Sequence, residues 1–135
     1  MRYFIDTNTF IFLCREPDKI SREVKKIIED CENQFIMSVE SVREALMLGK
    51  NGKVKELRSY DDIKAKMDEF GITIRHTADS HLETLSRLTP APSHSDPADL
   101  MIISQAITED LPLISSDKKF PFYRKQGLKF IPNKR

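Results

Sequence analysis

Acidic side chains stand where several elements of this sequence begin or end. Asp6 follows the apolar run Tyr3-Phe4-Ile5, and Asp117 follows a second short apolar run. Glu44 and Asp99 lie early in two helical patterns between them. Carboxylates that gather in one crevice repel one another unless they are protonated or bridged by a cation. A divalent ion held by oxygen ligands suits such a site, and it points to phosphodiester chemistry.

The elements that must position these acids alternate along the chain between short apolar runs and helical patterns. Strands are predicted over residues 2–5, 35–37, 72–74, 113–115 and 128–131. Helices are predicted over residues 7–15, 20–31, 57–70, 81–88 and 96–107, with another that opens at Ser38 and is broken by Gly49 and Gly52. This order predicts an α/β fold, an α/β/α sandwich with a central, mostly parallel sheet of four or five strands. The carboxyl ends of such strands meet in one crevice.

Each acid also has an ordinary structural explanation. Asp6 can cap a helix that starts at Thr7, and Asp117 can close a turn after a strand. Asp96 reads as an N-cap before Pro97, with Asp99 as the acid of the first turn. The argument for chemistry therefore rests on the joint placement of the acids and on no single one of them.

The helix that opens at Ser38 carries two competing acids. Glu40 and Glu44 are four residues apart, so they share one face of the helix. Glu40 lies near the positive end of the helix dipole, which explains it without a function. Glu44 lies a turn further on, beside the apolar stripe, and is harder to explain in that way.

Length and composition limit the possibilities. With 135 residues, of which 39% are hydrophobic, the chain is expected to form a single domain over residues 1–135. A net charge of +1, from 22 basic and 21 acidic residues, argues against a protein that coats DNA. Four glycines leave no glycine-rich phosphate loop, which argues against nucleoside-triphosphate chemistry.

The remaining motifs indicate a cytoplasmic protein without a disulfide. Cys14 and Cys31 lie in helical patterns and are expected to be buried, reduced thiols. No signal peptide is visible, and no apolar stretch reaches the ~20 residues of a membrane span. His94, in a polar proline-bearing loop over residues 89–95, is expected to be an exposed residue and not a ligand.

Four motifs together resemble those of the PIN-domain ribonucleases. The first is Phe4-Ile5-Asp6-Thr7-Asn8-Thr9-Phe10, and the second is Ser38-Val39-Glu40-Ser41-Val42-Arg43-Glu44-Ala45. The third is His94-Ser95-Asp96-Pro97-Ala98-Asp99 with the helix that follows it. The fourth is Leu113-Ile114-Ser115-Ser116-Asp117-Lys118-Lys119-Phe120, with Ser115 where the family often has Thr. The resemblance spans nearly the whole chain and is greatest to the VapC-type toxins of type II toxin–antitoxin pairs.

The resemblance implies an endoribonuclease that depends on Mg²⁺ or Mn²⁺. Carried over by position, the catalytic and metal-binding acids are Asp6, Glu44, Asp99 and Asp117, and Asp96 matches a more variable acid of the third motif. The family further implies a homodimer that a small antitoxin protein holds inactive. Leu48 and Leu100 depart from the family, because relatives often carry Lys and Arg at these two positions. An apolar groove for an antitoxin helix is expected around the helix over residues 57–70.

Water activated by the cation would attack the phosphorus and leave a 5′-phosphate and a 3′-hydroxyl. Asn8 and Ser115 could bond to the carboxylates or to a phosphate oxygen, and Lys118, Lys119 and Lys53 could contact flanking phosphates. One alternative is a catalytically inactive PIN-like module that binds RNA or protein. Another is a phosphatase with an aspartyl nucleophile at Asp6, although such enzymes want a second acid where this chain has Asn8.

Overall fold

A parallel sheet of five strands forms the centre of the chain, of which the computed structural model describes residues 1–134. The strand order is β3-β2-β1-β4-β5, and every neighbouring pair is parallel. This architecture confirms the predicted α/β/α sandwich. The strands are β1 (Arg2–Ile5), β2 (Gln34–Ser38), β3 (Ile72–Arg75), β4 (Leu113–Ser115) and β5 (Phe130–Pro132).

The helices lie between successive strands, as parallel connections require. They are α1 (Thr7–Arg15), α2 (Arg22–Glu29), α3 (Val39–Lys50), α4 (Tyr60–Glu69), α5 (Asp79–Arg87) and α6 (Pro97–Glu109). Three 3₁₀ turns cover Pro17–Lys19, Lys55–Leu57 and Phe120–Gln126. No helix in residues 1–134 combines the length and the apolar character that a bilayer crossing demands.

Side chains along the strands alternate between two separate cores. On β1, Tyr3 and Ile5 enter one core, and Phe4 enters the other. The first core receives the apolar stripes of α1 to α4, and the second receives α6 and the turn Phe120–Gln126. Because both faces of the sheet are covered, the central strands are apolar throughout and read as continuous runs.

Helix starts follow the capping residues that the sequence indicates. The Ser38 hydroxyl accepts from the Glu40 backbone N–H at 3.1 Å, and Asp96 caps α6 with Pro97 at its first position. Ser59 and Asp62 form a reciprocal capping box at α4, so this helix begins at Tyr60, after a 3₁₀ turn, and not at residue 57. Caps of this kind typically contribute about 1 kcal/mol each.

The helix α3 ends at Lys50, within the break predicted over Gly49 to Gly52, and Gly49 itself lies in the last turn against the Leu57 backbone. Besides the start of α4, two details of the prediction were wrong. The helix α2 ends at Glu29, where Asp30 accepts a turn-forming bond from the Glu32 backbone N–H. This turn leaves Cys31 exposed, contrary to the expectation of a buried thiol.

Cys14 agrees better with the expected inert thiol. It lies half-buried on α1, and burial raises the pKa of its thiol to about 12. A thiol with so high a pKa carries almost no thiolate at neutral pH, which makes it a poor nucleophile and a poor metal ligand.

Candidate functional site

A crevice opens where the direction of the chain across the sheet reverses. β1 and β4 are neighbours, with Ile5 opposite Ile114. From β1 the chain proceeds outward to β2 and β3, whereas from β4 it proceeds to β5 on the other side. Ligands bind in open α/β sheets at such a switch point, outside the carboxyl ends of the strands. Asp6 directly follows β1 there, and Asp117 lies two residues beyond the end of β4.

The five acids singled out in the sequence line one cavity at this point. Its volume is about 240 Å³, and its lining is polar. The residues around it are Asp6, Thr7, Asn8, Glu44, Asp96, Asp99 and Asp117. They come from the start of α1, the middle of α3, the start of α6 and the turn after β4. We call this space the acidic cavity.

The structure separates the two glutamates of α3. Glu44 lines the acidic cavity, whereas Glu40 does not. Glu40 instead pairs with Arg43, whose Nη2 lies 2.7 Å from its Oε2. The preference for Glu44 over Glu40 therefore agrees with where the two side chains lie.

Asp6 is the most constrained acid of the cavity. Its Oδ1 accepts from the backbone N–H of Thr9 at 2.9 Å, and its Oδ2 accepts from the Ser115 hydroxyl at 2.5 Å. Ser115 Oγ in turn accepts from the backbone N–H of Asp117 at 3.0 Å. Asp6 is thus both the cap of α1 and a member of the cavity, because each carboxylate oxygen retains a second lone pair. The predicted hydrogen bond from Ser115 to a carboxylate is present.

Burial and mutual repulsion raise the pKa of two of these carboxyl groups. Burial raises the pKa of Asp6, the hydrogen bonds from Ser115 and Thr9 oppose the rise, and the nearby charge of Asp117 adds to it. Burial likewise raises the pKa of Asp99 to about 6, against the hydrogen bond from His94 and with help from Asp96 and Asp117. A cation among these groups would favour their ionised forms.

The raised pKa of Asp99 gives the metal-free protein a specific dependence of stability on pH. Its value is 3.8 in an unperturbed chain and about 6 in the folded protein. The stabilising contribution is therefore complete below about pH 4 and is lost as the pH rises through about 6. A rise from 3.8 to about 6 is equivalent to about 3 kcal/mol. Because Asp99 is only half-buried, solvent screening reduces the expected fall in unfolding free energy across this window to roughly 2 kcal/mol, relative to Asp99→Asn. Urea unfolding of both proteins in chelator, from pH 4 to 8, measures this difference in unfolding free energy. A constant difference between the two proteins would contradict the shifted pKa.

His94 and Tyr123 form a part of the site that the sequence did not reveal. His94 is buried, with only 3% of its surface exposed, which corrects the expectation of an exposed loop residue. Its Nδ1 lies 2.7 Å from the Tyr123 hydroxyl, and its Nε2 lies 3.2 Å from Asp99 Oδ2. The loop can bury the ring because Ser93 adopts a positive φ of 62° and the Ala91 backbone N–H donates to Tyr123.

The Asp99 carboxylate determines which nitrogen of His94 carries the proton, because an ionised carboxylate can only accept. With the proton on Nε2, His94 Nδ1 accepts from the Tyr123 hydroxyl, which itself accepts from the Ala91 N–H at 2.9 Å. His94 Nε2–H then donates to Asp99 and holds this carboxylate in place. The spacing of His94 five residues before Asp99 is the only sequence signal of this contact, and Tyr123 has none.

The donor set fits a hard divalent cation. Carboxylate oxygens of Asp99 and Asp117 lie within 4.8 Å of each other, and His94 lies beside them as the hydrogen-bond donor to Asp99. The hydroxyl of Thr7, which also lines the acidic cavity, is buried and finds no hydrogen-bond partner in residues 1–134. Several carboxylate oxygens and a free hydroxyl are the ligands that Mg²⁺ and Mn²⁺ prefer. Asn8, an exposed residue, also lines the cavity.

The three lysines predicted to contact RNA occupy different places. Lys118 is exposed and lines a second cavity beside the acidic one. Lys119 is held in the loop structure, because its backbone N–H donates to Asp117 and its Nζ to the Ser93 carbonyl. Lys53 lines neither of these two cavities, and its carbonyl accepts from Arg15.

Comparisons with known proteins agree with this geometry. The fold is similar to a chain of the DNA-bound VapBC from Salmonella typhimurium, with TM-score 0.70, 16% identity and 98% of each chain covered. It is similar to a chain of VapBC2 from Rickettsia felis bound to a promoter DNA fragment, with TM-score 0.69, 19% identity and 98% of each chain covered. No curated protein sequence matches the chain. The family model of the PIN domain matches residues 3–127, and the chain therefore belongs to the PIN-domain family.

Proposed function

We propose that this protein is a divalent-metal-dependent endoribonuclease whose single domain, residues 1–135, acts as the toxin of a type II toxin–antitoxin pair in the cytoplasm. One observation carries the proposal. Four acids from elements far apart in the sequence, Asp6, Glu44, Asp99 and Asp117, line one polar cavity at the switch point of the sheet. Membership of the PIN-domain family supports it.

The proposal assigns tasks to residues in the acidic cavity and to Ser115 beside it. Asp6, Glu44, Asp99 and Asp117 would hold the cation, with Thr7 and Asp96 beside them. A bound Mg²⁺ or Mn²⁺ supplies activation of water and neutralises charge on the phosphate oxygens. Ser115 orients Asp6 and the turn of Asp117 together, because its hydroxyl bonds to both.

The experiment that tests the proposal combines metal removal with analysis of the product ends. Protein stripped with chelator should not cut single-stranded RNA, and added Mn²⁺ or Mg²⁺ should restore cleavage. Water attack predicts a 5′-phosphate and a 3′-hydroxyl at the cut. A 2′,3′-cyclic phosphate would refute water attack. RNA binding without any metal-dependent cleavage would support the inactive PIN-like module instead.

A partner protein forms the second half of the proposal. The similar structures described above are VapBC complexes, and another is a toxin–antitoxin complex from Klebsiella pneumoniae. We propose that this chain forms a homodimer bound by a small antitoxin. The expected groove at α4 has little support, because Ile63 and Met67 of its apolar stripe are fully buried in the core. Co-expression with the product of an adjacent reading frame, followed by light scattering, tests the assembly.

Loss of His94 is expected to raise the metal concentration needed for cleavage without weakening the binding of RNA. In His94→Ala, Asp99 loses the donor that fixes its orientation. Removal of such an outer partner typically costs about 10- to 100-fold in metal affinity or activity. A titration of the cleavage rate with Mn²⁺ should show a raised metal requirement at an unchanged KM for RNA. The exposed His76→Ala serves as the control, and equal metal titrations for the two variants would contradict the role of His94.

A further inference from the structure

A second cavity lies directly beside the acidic one and shares Asp117 with it. Its volume is about 430 Å³, within the roughly 300–1,000 Å³ of small-ligand sites. We propose that this cavity holds one nucleotide of a single-stranded RNA chain, next to the phosphate that is cut. The inference rests on the proposed nuclease function and identifies the nucleotide beside the cleaved phosphate as the part of the RNA that binds in this cavity.

The floor of this nucleotide pocket is fixed by one buried side chain. Asn133 accepts from the Ser21 backbone N–H at 2.7 Å and donates to the Lys19 carbonyl at 3.0 Å and to Ser116 Oγ at 2.9 Å. Its own backbone N–H donates to the Ser115 carbonyl at 2.9 Å. These bonds tie the segment after β5 to the end of β4. The pocket is therefore preformed, and little ordering is left to oppose binding.

One wall of the pocket is cationic and already oriented. The Arg124 guanidinium lies 5.3 Å from the centroid of the Phe130 ring, and its Nη2 donates to the Phe130 carbonyl at 3.3 Å. Within residues 1–134, neither Arg124 nor Lys118 forms an ion pair with a carboxylate. A planar guanidinium with free N–H groups, held by stacking, suits a phosphate.

Beside these cations, the pocket lining is apolar. Phe130, Pro121 and Pro132 contribute ring surfaces to it. An apolar platform beside a cationic wall matches the two parts of a nucleotide, the base and the phosphate. Because the pocket opens beside Asp117, a nucleotide in it would place the adjoining phosphate of the same chain at the acidic cavity.

A third depression continues the path away from the acids. It shares Pro121 and Arg124 with the nucleotide pocket and adds Arg87, Phe122 and Lys125. Phe122 is 44% exposed, so its ring offers an apolar surface to solvent at this depression. Bases stack on exposed aromatic rings only when they are unpaired. The acidic cavity, the nucleotide pocket and the depression at Phe122 adjoin one another in this order, which favours an extended, single-stranded RNA as the ligand.

Binding of a fluorescent RNA oligomer to Asp6→Asn protein, with Mg²⁺ present, tests the pocket without cleavage. Adding Arg124→Ala should weaken binding about tenfold and reduce the slope of log affinity against log salt by about one. Phe130→Leu should also weaken binding but should change this slope less than Arg124→Ala, because it removes the ring that orients Arg124 and that a base would contact, while the charge of Arg124 remains. In the cleaving protein, Arg124→Ala should raise KM and leave kcat within about twofold.

Lys26→Ala is the matched control, because Lys26 is an exposed cation on α2 that lines neither cavity nor the depression. Equal affinity and equal salt slope for Arg124→Ala and Lys26→Ala would overturn the pocket. So would failure of the Asp6→Asn protein to bind the oligomer at low salt. Binding through Arg124 without metal-dependent cleavage by the unmodified protein would leave the pocket standing and refute the nuclease function. Metal-dependent cleavage whose KM is unchanged by Arg124→Ala would support the nuclease function and refute the pocket.

Discussion

Replacing Asp6 with asparagine is expected to reduce metal-dependent RNA cleavage at least about a thousandfold while the fold is retained. The asparagine side chain would lack the charge that holds a cation, yet its Oδ1 could still accept from Thr9 and cap α1. Burial disfavours the Asp6 carboxylate, as its raised pKa shows. The neutral variant should therefore melt at the same temperature as the parent or higher in chelator. Initial cleavage rates and thermal melts of both proteins measure the two effects.

The two glutamates of α3 provide a matched pair for the same experiment. Glu44→Gln should lose most of the activity, because Glu44 lines the acidic cavity. Glu40→Gln should retain it, because Glu40 pairs with Arg43 outside the cavity. Full activity of Asp6→Asn, or equal losses in the two glutamine variants, would contradict the assignment of the site.

Gly49→Ala is expected to destabilise the protein strongly, because the added methyl group would clash with backbone atoms. A Cβ at this position would lie 1.6 Å from the carbonyl oxygen of Leu57 and 2.7 Å from its carbon. Both are backbone atoms, and Leu57 is itself fully buried, so the segment cannot yield locally. Overpacking of this severity should cost about 3 kcal/mol or more, from a total of roughly 5–15 kcal/mol. Urea unfolding at neutral pH measures the loss.

Gly71→Ala separates crowding from backbone strain. Gly71 has a positive φ of 67°, but a Cβ there would meet no atom within 4 Å. Its replacement should cost only about 1 kcal/mol, the usual penalty of a left-handed conformation. If Gly49→Ala were no less stable than Gly71→Ala, the close approach of α3 to the Leu57 carbonyl would be wrong.

Much of the fold could be predicted because local signals and periodicity agreed. The apolar runs before Asp6 and Asp117 became neighbouring strands, and Asp96 with Pro97 opened α6 as their types indicate. Local rules failed where a distant contact decided the outcome. No local pattern shows that the Leu57 backbone packs against Gly49, so this close approach could not be predicted.

The candidate site, too, could be predicted only in part. The acids could be ranked because their spacing matches known motifs, and the cavity contains all of them. His94 was expected to be exposed, since its polar loop gives no sign of burial. Its two partners are Asp99, five residues away, and Tyr123, 29 residues away. These contacts of His94 depend on how its loop folds over the start of α6, and such a fold produces no periodic pattern in the sequence.

The parallel pairing of β1 with β4 has a consequence for how the protein is made. These strands are separated by more than 100 residues, and the acidic cavity lies at their shared end. During synthesis, β1 emerges first and must wait for β4 before Ser115 can bond to Asp6. Any translation product that stops before residue 113 therefore lacks both the strand and Asp117. The acidic cavity therefore cannot form on the ribosome before β4 and Asp117 have been synthesised.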